Sequence, residues 1–345
     1  MKTIFLIHTS NSLLHYRISI YNYFYDYFKI RGFELHVFSN DIQKDNPYEI
    51  KFKHHLNDRG KLNLLSTYIS ISPNIVITFC SLKDIYVIPI FIIHKILNKK
   101  IIYWGHGVKL NNPKSWRWLF NLWHYYSDAI LLYSKNEMKY IKKHLHSKTF
   151  IANNTLNYSD LIIPSNKKKL VDYGITTTFN VVFVGRIEKR KKIEDLLIAA
   201  KYLNKEIGVV IIGNDLTNIL PDVLINNVFY LGPKYNVELH SILSQMDLFC
   251  LPGHVGLSIV DAFYHGLPII TQNVDHAPEI IYLKNKLNGF ILRDKYEIPY
   301  CINKLSKNKL LMNKMSNLAK QTFDSECSID LMLNSFMQSI YFVNE

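Results

Sequence analysis

The chain has 345 residues, too many for one ordinary core and suited to two domains of about 150–180 residues each. Hydrophobic residues make up 48% and charged residues 20%, a globular balance that excludes a disordered tail protein. The formal charge is +13, carried mainly by lysine because only seven of the 41 basic residues are arginine. That excess reflects either compositional bias or an anionic partner, a membrane surface or a phosphorylated substrate; no nucleic-acid motif accompanies it.

The first ten residues, MKTIFLIHTS, lack a long apolar core and a small-residue cleavage site, so they are expected to form a buried strand and not a signal peptide. Short apolar runs then alternate with amphipathic stretches, the pattern of parallel sheets with helices on both faces. In the first half the strand candidates are Thr3–His8, Glu34–Phe38, Ile75–Phe79, Lys100–Trp104, Ala129–Tyr133 and Lys148–Ala152. Helices are expected over Tyr16–Ile30 and Leu82–Leu97. The apolar run Ile85–Leu97 falls short of the ~20 residues a membrane span needs and contains Pro89 and His94. Ser134 and Glu137 have capping-box spacing, which predicts a helix running to about His144.

Periodicity fades from Asn153 to Thr178, where Asn, Ser, Pro and the triplet Lys167–Lys169 mark a domain boundary. A second series begins at Phe179–Val184 and continues through Val209–Ile212, Val228–Leu231, Leu248–Leu251 and Pro268–Ile270. Two helices with a break near Ser325 close the chain. Three segments result: residues 1–165, residues 166–325, and a C-terminal helix, 326–345, expected to return to the first domain. The four cysteines, Cys80, Cys250, Cys301 and Cys327, have no metal or disulfide spacing, so no zinc site is expected and a reducing cytoplasm is the expected setting.

Two doubly wound units are expected to face each other across a cleft, with ligands at the carboxyl ends of the strands. Three clusters sit at such ends in the second half. Gly185-Arg186 follows a strand and leads into Lys189, Arg190, Lys191 and Lys192 at a helix start, where free N–H groups and the helix dipole suit phosphate. Arg186 and Lys191 can reach one diphosphate from two sides, while Lys189, Arg190 and Lys192 read as exposed lysines and arginine. The second cluster is Gly253-His254-Val255-Gly256-Leu257, a glycine-rich turn ahead of a helix that carries Asp261. A carboxylate in an apolar helix needs partners, and ribose hydroxyls are suitable. The third, His276-Ala-Pro-Glu279, places Glu279 in the first turn of a short helix, where it either meets the ligand or complements the dipole.

Together these residues resemble the C-terminal domain of the family 4 glycosyltransferases of GT-B fold. FVGRIEKRKKIEDLLIAAKYL, YLGP, SQMDLFCLPG, GLSIVDAFYHGLPIIT, PEI and NGFIL follow in that family's order and spacing over about residues 180–293. By resemblance, Arg186 and Lys191 take the donor diphosphate and Asp261 takes the ribose. Two departures stand out. The first of the family's two glutamates is replaced by Gly253, and the usual glycine after the donor lysine is replaced by Lys192. Backbone groups of Gly253–Gly256, or His254, are expected to serve the sugar in place of that glutamate. The most similar branch is that of capsule and O-antigen transferases. The N-terminal half matches more loosely: His15 and Arg17 stand where a glycine-rich loop is usual, and His106, between Gly105 and Gly107, resembles a strand-end histidine of the acceptor side.

The resemblance implies a retaining transferase that moves sugar from a nucleotide diphosphate to a glycan or polyprenyl-diphosphate-linked acceptor. No cofactor and no metal are implied, since no DxD-type pair stands at a strand end. The expected setting is cytoplasmic, peripheral on the inner face of the cell membrane. Rival readings are a GT-B-like sugar-nucleotide 2-epimerase and a non-catalytic nucleotide-sugar-binding protein. An aromatic and basic segment, Lys114 to Tyr125, is either a candidate membrane contact or an ordinary packed helix.

Overall fold

The computed structural model describes every residue except 10, 11, 45, 58–62, 80–86, 109–113 and 115. Cys80 and the expected helix start at Leu82 therefore lie outside the described residues. The chain divides into two compact units, Met1–Asn157 with Ser328–Glu345, and Tyr158–Cys327.

The first unit runs β1 (Lys2–His8), α1 (His15–Ile30), β2 (Phe33–Ser39), β3 (Lys53–Leu56), α2 (Asn63–Ile71), β4 (Ile75–Thr78), α3 (Val87–Ile96), β5 (Lys100–Gly105), α4 (Arg117–Tyr126), β6 (Ala129–Leu132) and β7 (Thr149–Ile151). Its seven strands are parallel in the order β3-β2-β1-β4-β5-β6-β7. The central strands are apolar on both faces because helices cover both. In β1, Ile4 and Leu6 pack with Tyr21 and Phe24 of α1, while Phe5 and Ile7 pack with Tyr68 of α2 and Ile90 of α3. Helix α1 stops at Gly32, whose φ of +78° is the left-handed conformation that ends helices. The expected helix after Ser134 is not α-helical. Residues Lys135–Tyr140 and Lys143–Lys148 form two 3-10 turns, interrupted at Ile141, whose extended backbone lets its side chain join the core beside Leu145.

The second unit runs β8 (Phe179–Val184), α5 (Ile193–Ala200), β9 (Ile207–Ile212), β10 (Val228–Tyr230), α6 (Asn236–Leu243), β11 (Leu248–Cys250), α7 (Ser258–Tyr264), β12 (Ile269–Gln272), β13 (Gly289–Leu292), α8 (Glu297–Ser306) and α9 (Lys309–Thr322). Its six parallel strands are ordered β10-β9-β8-β11-β12-β13. The order reverses between β8 and β11 here, and between β1 and β4 in the first unit. Such reversals open a crevice at the carboxyl ends of the flanking strands, the ligand position of doubly wound folds.

After α9 the backbone passes through a π-turn at Phe323–Cys327 into α10 (Ile329–Asn344). The Ser328 hydroxyl accepts a hydrogen bond from the Leu331 N–H and caps α10. Phe336 of α10 then packs edge-on against Trp104 of β5, with ring centroids 4.7 Å apart. None of the described helices is long and apolar enough to cross a membrane.

Candidate functional site

In the second unit Arg186 follows β8, and the chain makes a 3-10 turn at Lys189–Lys191 before α5 begins. The basic run thus precedes the helix and does not open it, as the sequence suggests it should. The cause is Lys192, whose φ of +51° interrupts the helical path. Lys191 turns inward and its ammonium donates to the His254 carbonyl oxygen at 2.7 Å. Burial, then the charge of Arg190, pulls its pKa down to about 8, opposed by Glu188 and Glu279; at neutral pH it remains mainly cationic. Arg186 and Lys189 stay exposed, and Arg190 pairs with Glu188 at 2.8 Å.

The loop after β11 is tied to this turn by two backbone bonds. Gly253 N–H donates to Lys191 O at 3.0 Å, and His254 N–H donates to Arg190 O at 2.8 Å. A Cβ on Gly253 would lie 2.2 Å from Arg190 O and 2.5 Å from Lys191 C, so only glycine fits. Val255 is fully buried and offers the site only backbone: its N–H donates to Nδ1 of His276, whose Nε2–H donates to Gln272 O. These two bonds define a neutral imidazole, and burial lowers its pKa accordingly. His254 donates from Nδ1 to Asp275 O at 3.0 Å. Gly256 and Leu257 lead into α7, and Glu279 lies buried in the 3-10 turn Pro278–Tyr282, near enough for its charge to act on Lys191. Arg186, Lys191, His254 and Glu279 therefore converge at the β8/β11 reversal.

Asp261 has company that the sequence does not reveal. Tyr158 Oη donates to its Oδ1 at 2.8 Å, and His240 Nε2 lies 3.9 Å away. Tyr158 stacks on Tyr264 with centroids 4.1 Å apart. Burial raises the Asp261 pKa to about 7, although the Tyr158 bond works the other way. The buried carboxylate thus finds its partner in a protein hydroxyl, where the sequence argument supplies a ribose.

In the first unit a cavity of about 270 Å³ opens at the β1/β4 reversal. Its walls include His8, Arg17, Phe79, Trp104, His106 and Tyr133. Arg17 is only 6% exposed, and its guanidinium lies over the rings of Trp104 and Tyr133 at 5.0 and 5.6 Å. One terminal nitrogen, Nη2, donates to Tyr133 Oη at 3.3 Å. The other, Nη1, is buried without an acceptor among the described residues, as is Trp104 Nε1. A buried donor left so costs about 1–3 kcal/mol. His106 donates from Nδ1 to the buried Glu137 at 2.6 Å, and the second Glu137 oxygen accepts from Ser134 N–H at 3.0 Å. The Ser134/Glu137 pair that the sequence assigns to a helix start thus orients a cavity histidine. His15 is held by Gln43 at 2.9 Å and does not line this cavity. His8 does, and sequence reasoning missed it; its place at the end of the first strand was the available signal.

Residues 166–322 match the family described as "Glycosyl transferases group 1". That region is a glycosyl transferases group 1 domain. A curated relative, an "Uncharacterized 41.2 kDa protein in cps region" of Klebsiella pneumoniae, is 32% identical over 106 residues, 30% of this chain and 30% of that one. That match spans less than a third of the relative. Among solved structures, a glycosyltransferase of Rickettsia africae superposes with a TM-score of 0.77 at 17% identity, covering 100% of this chain and 99% of its own. Anabaena HepE in complex with UDP superposes with a TM-score of 0.74 at 15% identity, covering 99% and 100%. The fold is GT-B, an α/β architecture of two parallel sheets with flanking helices.

Local backbone geometry bears on both departures noted in the sequence. Lys192 occupies a left-handed position, which is where a glycine is the low-strain choice. Gly253 replaces a glutamate because the backbone of Arg190–Lys191 fills the space any side chain needs.

Proposed function

We propose that this protein is a glycosyltransferase that moves a sugar from a nucleotide diphosphate onto a glycan or lipid-linked acceptor in surface-polysaccharide synthesis. The observation that carries the reading is the buried, cationic Lys191 at the β8/β11 reversal of a group 1 domain, with Arg186 beside it. In this reading the two cations stabilise the leaving diphosphate as its negative charge develops, without a divalent metal. Retention of anomeric configuration follows from the resemblance, with the leaving phosphate accepting the acceptor's proton. Asp261 keeps a second carboxylate oxygen beyond its Tyr158 bond, and the ribose contact rests on it. Support for a UDP-type donor comes from HepE, solved with UDP, and support for polysaccharide synthesis from the cps-region relative.

A peripheral membrane setting is part of the same proposal. Trp116, Trp118, Leu122, Tyr125 and Tyr126 are exposed along α4 and its entry, beside Lys114 and Arg117, whereas Phe120 and Trp123 are buried. Trp and Tyr favour the water–lipid boundary, and basic residues favour anionic headgroups. The enzymatic test is a screen of UDP-, GDP- and CMP-sugars, followed by release of free nucleotide. Acceptor-dependent release of nucleoside diphosphate from a UDP- or GDP-sugar supports a transferase. An epimerised nucleotide sugar, or binding of nucleotide without turnover in the presence of acceptor glycans, overturns it.

A further inference from the structure

The cavity at the β1/β4 reversal carries a permanent positive charge that nothing described in the protein neutralises. Arginine stays protonated in proteins, and among the described residues no carboxylate pairs with Arg17. Two buried donors on the cavity wall, Arg17 Nη1 and Trp104 Nε1, lack acceptors among the described residues. Helix α1 adds to the imbalance. Its N-cap is Leu14, its first turn holds no acid although Gln43 Oε1 accepts from the His15 N–H at 3.2 Å, and Arg17 sits in that turn at the positive end of the dipole. The unpaired Arg17 charge disfavours an empty cavity, and one ligand chemistry relieves it, an oxyanion.

The remaining walls narrow the choice. His8 shares a hydrogen bond with Tyr21 and is kept neutral, because burial and then the Arg17 charge pull its pKa down to about 3. The charge of His106 would be matched by Glu137, to which it is already bonded. Among the described residues one cationic charge is therefore left over, which fits a carboxylate better than a phosphate dianion. Phe79, half-buried on the same wall, supplies a flat apolar face of the kind on which a sugar ring rests.

We propose that this cavity binds a carboxylate carried on a sugar ring, so that the acceptor is an acidic sugar. The word acceptor rests on the transferase reading; the carboxylate site does not. The test uses the full chain without nucleotide and measures binding of glucuronate, its neutral methyl ester, glucose and glucose 1-phosphate by calorimetry or ligand-observed NMR. Glucuronate is expected to bind about ten- to a hundredfold more tightly than its ester or glucose, the range set by one charge-assisted contact. Arg17→Met is expected to remove that preference. The ester comparison needs no variant, so it stands even if Arg17→Met fails to fold. Equal binding of glucuronate and its ester overturns the proposal, and a preference for glucose 1-phosphate overturns the carboxylate assignment. Glucuronate bound through Arg17 in a protein that transfers no sugar leaves the site standing and removes the transferase reading instead.

Discussion

Replacing Asp261 by asparagine separates two roles of one carboxylate. In the folded chain the Asp261 pKa rises from 3.8 to about 7, because burial disfavours the charged form, and its side chain is 14% exposed. The sign follows from linkage. Between about pH 4 and 7 the native state holds a proton that the unfolded chain has released, so stability falls as pH rises through that window and stays low above it. A displacement of about three pH units is worth about 4 kcal/mol at most, and about 2–4 kcal/mol is expected after structural relaxation. The amide introduced by Asp261→Asn keeps an oxygen for the Tyr158 hydroxyl and has no charge to desolvate. Urea denaturation at pH 4.5 and 8.5 should therefore find variant and wild type similar in acid. At the higher pH the variant should be more stable by about 2–4 kcal/mol. A stability difference that does not change with pH would refute the buried-carboxyl argument. The same variant tests the proposed ribose contact: UDP affinity measured by calorimetry is expected to fall about tenfold, as for one lost charge-assisted bond. Unchanged affinity removes Asp261 from the donor site.

Gly253→Ala should destabilise the second unit by about 1–3 kcal/mol and weaken UDP binding, since its Cβ displaces the Arg190–Lys191 backbone. Gly253→Glu, which restores the family residue, should lose activity and not gain it; a more active Glu variant would show that the turn yields easily. Arg186→Ala and Lys191→Ala should each cut turnover about a hundredfold, while exposed Lys189→Ala does little; equal small effects at all three positions reduce the cluster to a solvated surface. Lys192→Gly should raise stability by about 0.5–1 kcal/mol by relieving its left-handed backbone, read as a higher denaturation midpoint at unchanged slope. The whole protein should float with anionic vesicles at low salt and dissociate at about 0.5 M salt, where screening acts within a few Å; Trp116→Ala with Trp118→Ala should weaken flotation, and no binding at low salt removes the membrane contact.

What the sequence makes legible, and what it hides, divides by the range of the interaction. Strands buried on both faces announce themselves as apolar runs, so β1, β8 and β9 stand within a residue or two of their expected places. Strand β3, Lys-His-His-Leu at the sheet edge, escapes because half-exposed edge residues carry no apolar run. Glycine at 253 and lysine at 192 are visible as departures from a family pattern, but their cause is spatial. One faces a backbone carbonyl 2.2 Å from its would-be Cβ, and the other has a backbone angle that no spacing reveals.

The same division governs the two sites. The cations after β8 are legible because one turn of chain contains them all. Asp261 and Tyr158, 103 positions apart, meet only through the fold. Arg17, Trp104 and Tyr133 likewise come from three distant segments, and their imbalance, a buried charge with idle donors, exists only once they share a wall. The rule that could have joined them is topological. In a doubly wound sheet the residues just past the strands flanking the order reversal face one crevice. Applied to strands β1 and β4, that rule selects the stretches holding His8, Arg17 and Phe79 without any motif. The proposed ligand site of the first unit is therefore better sought from strand order than from sequence similarity, which is where the carboxylate test on Arg17 begins.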